Sequence, residues 1–302
     1  MKSENPTSPA FPSGPKAYFL ASRPRTWPLS LCPVCIGVSM AKGPIDYWVF
    51  GLTLFFSLLI QIGTNFANDY FDFIKGADTS SRIGPSRATA SGWIAPSDMW
   101  RGTIFIFLLA FLTAIPLMAR AGLWSLPIAA LCILFGILYT GGPKPLGYLG
   151  LGELLVMIFF GPVACAGAYY LQTFTLNLSV LIASLAPGLL STSALIANNL
   201  RDYKNDAKAG KQTLIVRLGP LFGKWEYATS IVFAGVVPLI LFIFCGAPAI
   251  TLLPMIILIV AIPLIQTAFR FEHPKELIPV LQVSAMLLLL YTLLFSLSWL
   301  IA

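Results

Sequence analysis

Charge is scarce in this sequence. Of its 302 residues only 10% are Asp, Glu, Lys or Arg, where a soluble domain carries roughly 25%. A water-soluble chain of this length needs a polar surface that so few charges cannot supply, so the composition excludes a soluble globular protein. Histidine is nearly absent: the one copy, His273, lies in a polar loop far from Cys32 and Cys35. The Cys32-Pro-Val-Cys35 spacing therefore has no second ligand pair, and all five cysteines sit in apolar runs. They read as structural thiols rather than metal ligands or disulfides. No apolar run opens the chain. Residues 1–16 are proline-containing and read as a flexible arm without a cleavable signal peptide, ahead of a single transmembrane domain over 17–302.

What the chain has in abundance is apolar sequence: 57% hydrophobic residues and a mean hydropathy of +0.83. A spanning helix needs about 20 mostly apolar residues. Such stretches fall at 27–41, 47–66, 102–120, 123–140, 152–171, 178–197, 227–246, 249–268 and 278–301, several of them separated by Gly/Pro turns. The expected fold is an all-α membrane bundle of nine transmembrane helices.

The 19 Lys and Arg residues divide sharply between the two sides of such a bundle. All but Lys42 and Arg120 fall in the N-terminal arm or in the loops after the second, fourth, sixth and eighth spans. Basic residues mark the cytoplasmic side, so the split predicts an N-in, C-out topology. The net charge of +7 is then topological and does not imply a nucleic-acid partner.

Topology does not explain the acids in those same loops. The first acidic loop contains Asn65, Asn68, Asp69 and Asp72, then Lys75, Asp78, Arg82 and Arg87. If the second helix continues through it, the first four share one face, with Asp69 and Asp72 one turn apart. The second contains Asn198, Asp202 and Asp206, spaced four apart, followed by Lys211. Two like-charged carboxylates at that spacing repel unless a cation joins them. Oxygen-only ligands suit Mg²⁺, which takes few protein carboxylates and completes its shell with substrate phosphates; the basic neighbours suit a diphosphate. The plain alternative, a solvated and salt-bridged surface, suits either loop alone but is weaker for two loops of one pattern on one side. Tyr139 and Tyr148 flank a Gly/Pro-rich turn that ends at Glu153 and serve either as interfacial aromatics or as pocket walls. Arg25 is either a topogenic flank or a contact for an acidic substrate. Phe105, Phe107 and Phe111 read first as packing residues and second as a wall against an apolar tail.

These motifs carry a resemblance. Asn68-Asp69-x-x-Asp72 and Asp202-x-x-x-Asp206 resemble the UbiA-type superfamily of intramembrane aromatic prenyltransferases. Residues 23–26, Gly76, Asp78 and 82–87, Tyr139 to Glu153, and 198–213 are most similar to its 1,4-dihydroxy-2-naphthoate polyprenyltransferases of menaquinone biosynthesis. The resemblance implies a helical bundle with a central cavity beneath cytoplasmic cap loops. It implies that Asp69, Asp72, Asp202 and Asp206 bind two Mg²⁺, assisted by Asn65, Asn68 and Asn198, with Asp78 contributing. It implies that Lys75, Arg82, Arg87 and Lys211 hold an isoprenyl diphosphate, and that Tyr139 steadies an allylic cation. The expected reaction joins the polyprenyl group to 1,4-dihydroxy-2-naphthoate with loss of CO₂ and diphosphate. The expected setting is a bacterial inner membrane with the site facing the cytoplasm, or an organellar membrane in a photosynthetic source. Alternatives are a sister acceptor such as homogentisate or 4-hydroxybenzoate, or, more distantly, a transporter. A transporter usually places ionisable groups near the midplane, whereas here they gather at one surface. Oligomeric state is left open.

Overall fold

The computed structural model describes residues 12–78 and 83–301. Arg82 lies outside the described residues. Every regular element among those described is helical. The first helix, α1, spans Gly14–Ala21, so the last three residues of the expected flexible arm are helical. Pro15 sits in its first turn, where a missing N–H breaks no intrahelical bond.

Next come α2 (Trp27–Ser39), α3 (Tyr47–Ile74), α4 (Pro96–Ala121) and α5 (Leu126–Leu138). A single rod is then built from α6 (Gly152–Ile158), a π-helical stretch (Phe159–Ala166) and α7 (Gly167–Thr173). Pro162 lies inside the π-helical stretch; its ring and missing N–H disfavour regular α-helical hydrogen bonding there. The long α8 (Leu178–Lys208) and short α9 (Leu214–Leu218) lead to α10 (Pro220–Cys245). The chain ends with α11 (Ile257–Val260), α12 (Ile262–Arg270) and α13 (Leu277–Ile301).

Seven rods among the described residues are long and apolar enough to cross a bilayer: Tyr47–Ile74, Pro96–Ala121, Gly152–Thr173, Leu178–Lys208, Pro220–Cys245, Ala249–Arg270 and Pro274–Ile301. The other two stretches expected to span, 27–41 and 123–140, form shorter helices: α2 has 13 residues, and Leu123–Leu138 falls below spanning length. Thirteen residues rise only about 20 Å, against roughly 30 Å of hydrocarbon. Breaks at the ends cause the shortening. Arg23 is left-handed (φ 54°) ahead of Pro24, and Gly122 takes φ 97° ahead of the Leu123–Leu138 segment.

The helix α8 forms the centre of the bundle. Of its most apolar stretch 72% is buried, against 28% to 44% for the other six rods. It packs on α10, α13, α6 and the π-helical stretch. Glycines bring the backbones close, as expected where helices associate by packing in lipid. A Cβ on Gly161 would sit 2.8 Å from the Ser184 carbonyl oxygen, and one on Gly37 only 2.0 Å from that of Cys165. Because this neighbour is backbone, it cannot swing aside. Gly37→Ala is therefore expected to lower stability by about 1–3 kcal/mol, seen as a fall in Tm of the detergent-solubilised protein; an unchanged Tm would show that α2 and the π-helical stretch separate freely.

Two helices extend past the apolar spans expected from sequence. The second span, predicted to end at 66, continues to Ile74, and the sixth, predicted to end at 197, continues to Lys208. Those extra turns carry the acidic motifs.

Candidate active site

The extensions of α3 and α8 meet at the mouth of a cavity of about 1170 Å³. Its α3 wall runs from Thr53 to Asp72, roughly 28 Å of helix. The walls below the mouth are largely apolar, and several of their residues, Ile128, Leu131 and Ile158 among them, are exposed. Phe105, Phe107 and Phe111 do not line it. Phe105 and Phe111 are exposed on α4, and Phe107 is buried where a Cβ on Gly63 or Gly136 would meet its ring.

Asp72 is the hub of the mouth. It is 1% exposed. Arg87 lies 3.2 Å from its Oδ2, Lys211 donates to both of its oxygens at 3.2 and 3.3 Å, and the Tyr148 hydroxyl donates to Oδ1 at 2.6 Å. The second motif is bound into the same network. Lys211 Nζ is 3.9 Å from Asp206 Oδ1, so a single ammonium touches carboxylates from both α3 and α8. Asp202 is clamped by the neighbouring Arg201 through two hydrogen bonds of 2.8 and 2.6 Å, and Arg201 also donates to Asn198 Oδ1 at 2.7 Å. Burial raises the Tyr148 pKa, and the Asp72 charge and hydrogen bond add to the effect, so the phenol stays a donor at neutral pH.

Other expected site residues are placed differently. Asp69 turns to the loop after residue 83: its Oδ2 accepts from the Ala88 N–H at 3.0 Å and its Oδ1 from the Thr89 N–H at 2.9 Å. Lys75 donates to the carbonyls of Thr140 and Gly142 and lies outside the cavity lining. Its pKa is lowered by burial, against the pull of Asp72 and with the push of Lys211. Asp78 pairs with Arg87 at 3.5 Å and is also absent from the lining. Asn65 donates to the Ser22 carbonyl at 3.0 Å, and Asn68 accepts from Thr140 at 2.8 Å. Both line the cavity, as do Arg25, Tyr139, Tyr148 and Asn198. Glycines give Tyr139 its seat, for a Cβ on Gly152 would come within 2.9 Å of its hydroxyl. Sequence reasoning had not assigned Arg201 or Arg23 to the site, yet both line it. All five cysteines are free.

The donor set fits Mg²⁺. Among the described residues no three acidic, His or Cys side chains form a ready-made cage. However, Asp72 and Asp206 both lie within 4 Å of one cationic nitrogen, and Mg²⁺ characteristically uses one or two protein carboxylates with phosphate oxygens.

The model of the UbiA prenyltransferase family matches residues 30–284. The chain belongs to the UbiA prenyltransferase family. Within this family, it is 36% identical to the 1,4-dihydroxy-2-naphthoate octaprenyltransferase of Haemophilus influenzae, over 95% of this chain and 96% of that protein. It is 37% identical to the enzyme of the same name from Mycobacterium tuberculosis, over 90% and 92%. A UbiA homologue from Archaeoglobus fulgidus, solved bound to DMAPP and Mg²⁺, shares the fold with a TM-score of 0.61 at 19% identity, over 93% of this chain and 99% of that one.

Proposed function

We propose that this UbiA family member transfers a polyprenyl group from an isoprenyl diphosphate to 1,4-dihydroxy-2-naphthoate, releasing CO₂ and diphosphate and yielding a demethylmenaquinol, the reduced form of demethylmenaquinone. The observation that carries the reading is the meeting of the two acidic motifs across Lys211 at the mouth of a long apolar cavity, in a chain collinear with naphthoate prenyltransferases.

The diphosphate lies at the mouth and the isoprenyl tail along α3. The allylic C–O bond breaks and its electron pair leaves with the diphosphate. Arg87 and Lys211 face that developing charge, and their preorganisation lowers the barrier. Asp72, Asp202 and Asp206 would hold Mg²⁺, with Asp72 and Asp206 meeting at the junction of the two motifs, and the metal would supply further charge neutralisation. Asp69 serves mainly to hold the 88–89 backbone over the mouth. The ring carbon bearing the carboxylate attacks the allylic cation; the C–CO₂ bond then breaks and its electrons restore the ring. Arg25 faces the acceptor carboxylate. The Tyr139 ring steadies the cation through its π face, so Tyr139→Phe is expected to retain turnover that Tyr139→Ala loses.

The topology proposed is nine membrane segments, N-in and C-out, with α2 and the Leu123–Leu138 segment as the two short ones. The Lys/Arg distribution supports it, and the site then faces the cytoplasm of a bacterial inner membrane.

The test is turnover by purified protein supplied with farnesyl, geranylgeranyl or octaprenyl diphosphate, Mg²⁺ and, in parallel, 1,4-dihydroxy-2-naphthoate, 4-hydroxybenzoate and homogentisate. A decarboxylated prenyl-naphthoquinol, recovered as its quinone after air oxidation during extraction, made from the first acceptor alone and abolished by EDTA, is the expected result. Product from another acceptor instead would overturn the naphthoate assignment.

A further inference from the structure

Asn199 follows Asn198 on α8 and lines the same cavity, but its amide is held from behind. Its Nδ2 donates to Glu153 Oε1 at 2.8 Å. Glu153 is 4% exposed and opens α6. Its backbone carbonyl also accepts from Thr192 of α8 at 3.4 Å, so the two helices are pinned together on both sides of the contact. An amide NH₂ only donates, and turning the amide over would set two acceptor oxygens face to face. The carboxylate therefore fixes the orientation, and Oδ1 is the atom left for the cavity. Among the described residues no group donates to Oδ1, and it is not among the buried polar atoms lacking a partner, so it retains access. Asn198 is fixed the opposite way: its Oδ1 is taken by Arg201 at 2.7 Å, which leaves its NH₂. Adjacent amides thus present one acceptor and one donor.

We propose that Asn199 Oδ1 accepts a hydrogen bond from a ring hydroxyl of the aromatic substrate, and that Glu153 is the positioning residue that keeps it turned that way. The inference rests on the acceptor reading above. A phenol is a donor and matches Oδ1. A diphosphate offers only acceptor oxygens and is repelled from it, so the same atom separates the two substrates. A hydroxyl bonded to Oδ1 also releases more electron density to the ring carbon that must attack.

The test measures steady-state constants for N199A, E153A, E153Q and the N199A/E153A double variant. The KM for 1,4-dihydroxy-2-naphthoate is expected to rise roughly tenfold in N199A and in E153A, with the KM for isoprenyl diphosphate and the half-saturating Mg²⁺ unmoved. E153Q, whose carbonyl still accepts, is expected to recover most of the affinity, and the double variant to be no worse than N199A, because the two residues form one device. A second check uses competitors: 1-hydroxy-2-naphthoate and 4-hydroxy-2-naphthoate are expected to differ in inhibition constant on wild-type protein, and that difference to vanish in N199A. An acceptor KM unchanged in N199A, or a shift in Mg²⁺ requirement instead, overturns the inference while the function stands. Absence of any naphthoate product from wild-type protein overturns the function itself.

Discussion

Asp72→Asn is expected to cut turnover by about 10²–10³-fold while the protein remains folded. The carboxylate meets three donors at once, Arg87, Lys211 and Tyr148, and an amide oxygen cannot serve all of them. Two cations lose their counter-charge, and whichever way the amide turns its NH₂ points at Lys211, which contacts both oxygen positions and can only donate. Breaking a fully buried pair costs about 3–5 kcal/mol of stability, but the cost here is smaller. Lys211 is 14% exposed and already lies 3.9 Å from Asp206, so it has a second carboxylate to turn to. The loss therefore falls on kcat more than on folding. Asp69→Asn makes the contrast. It disturbs the two backbone N–H groups of Ala88 and Thr89, so the expected signature is faster proteolysis in the loop after residue 83 with a milder fall in kcat. Paired measurements of kcat and loop cleavage decide the matter; an Asp72→Asn rate within tenfold of wild type would remove Asp72 from the centre of the site.

The sequence made the two acidic stripes legible because helical periodicity is local. Spacings of three and four put Asn65, Asn68, Asp69 and Asp72 on one face before any contact is known. Which neighbour each residue meets is not local. Asp69 and Asp72 are one turn apart, yet one caps a loop and the other takes a lysine 139 residues away. The basic residues near the motifs read alike from composition. Only the packing separates Lys211, held between the two motifs, from Lys75, spent on the carbonyls of the 139–153 turn. Glu153 is marked in the sequence only as the end of a Gly/Pro-rich turn; its hold on Asn199, 46 residues on, has no local pattern. Seven of the nine apolar runs form rods of spanning length among the described residues, because hydropathy measures apolar runs whereas backbone breaks at Arg23-Pro24 and Gly122 set how much of each run is helix.

Lys211→Met is expected to lower turnover by about 10²-fold and, at the same time, to reduce the Mg²⁺ needed for half-maximal rate. The two effects have opposite signs because Lys211 does two things. Its ammonium lies 3.2 Å from Asp72 and 3.9 Å from Asp206, the position from which a single cation reaches both helices, so in the proposed mechanism it competes with a metal ion for that pair. Methionine keeps the stem and removes the competitor, leaving two carboxylates that need a cation more than before. In the proposed mechanism the same ammonium also donates to the diphosphate, so the KM for isoprenyl diphosphate is expected to rise as the Mg²⁺ requirement falls. Lys211→Arg keeps the charge but replaces a compact point with a planar fork, so its Mg²⁺ requirement is expected to stay near that of wild type while its turnover falls between the two. Titrating Mg²⁺ at saturating substrate separates the terms. A Met variant whose Mg²⁺ requirement is unchanged would mean that lysine and metal occupy different positions, and the ion would then have to be assigned to Asp202 and Asn198 on α8 rather than to the junction of the two motifs.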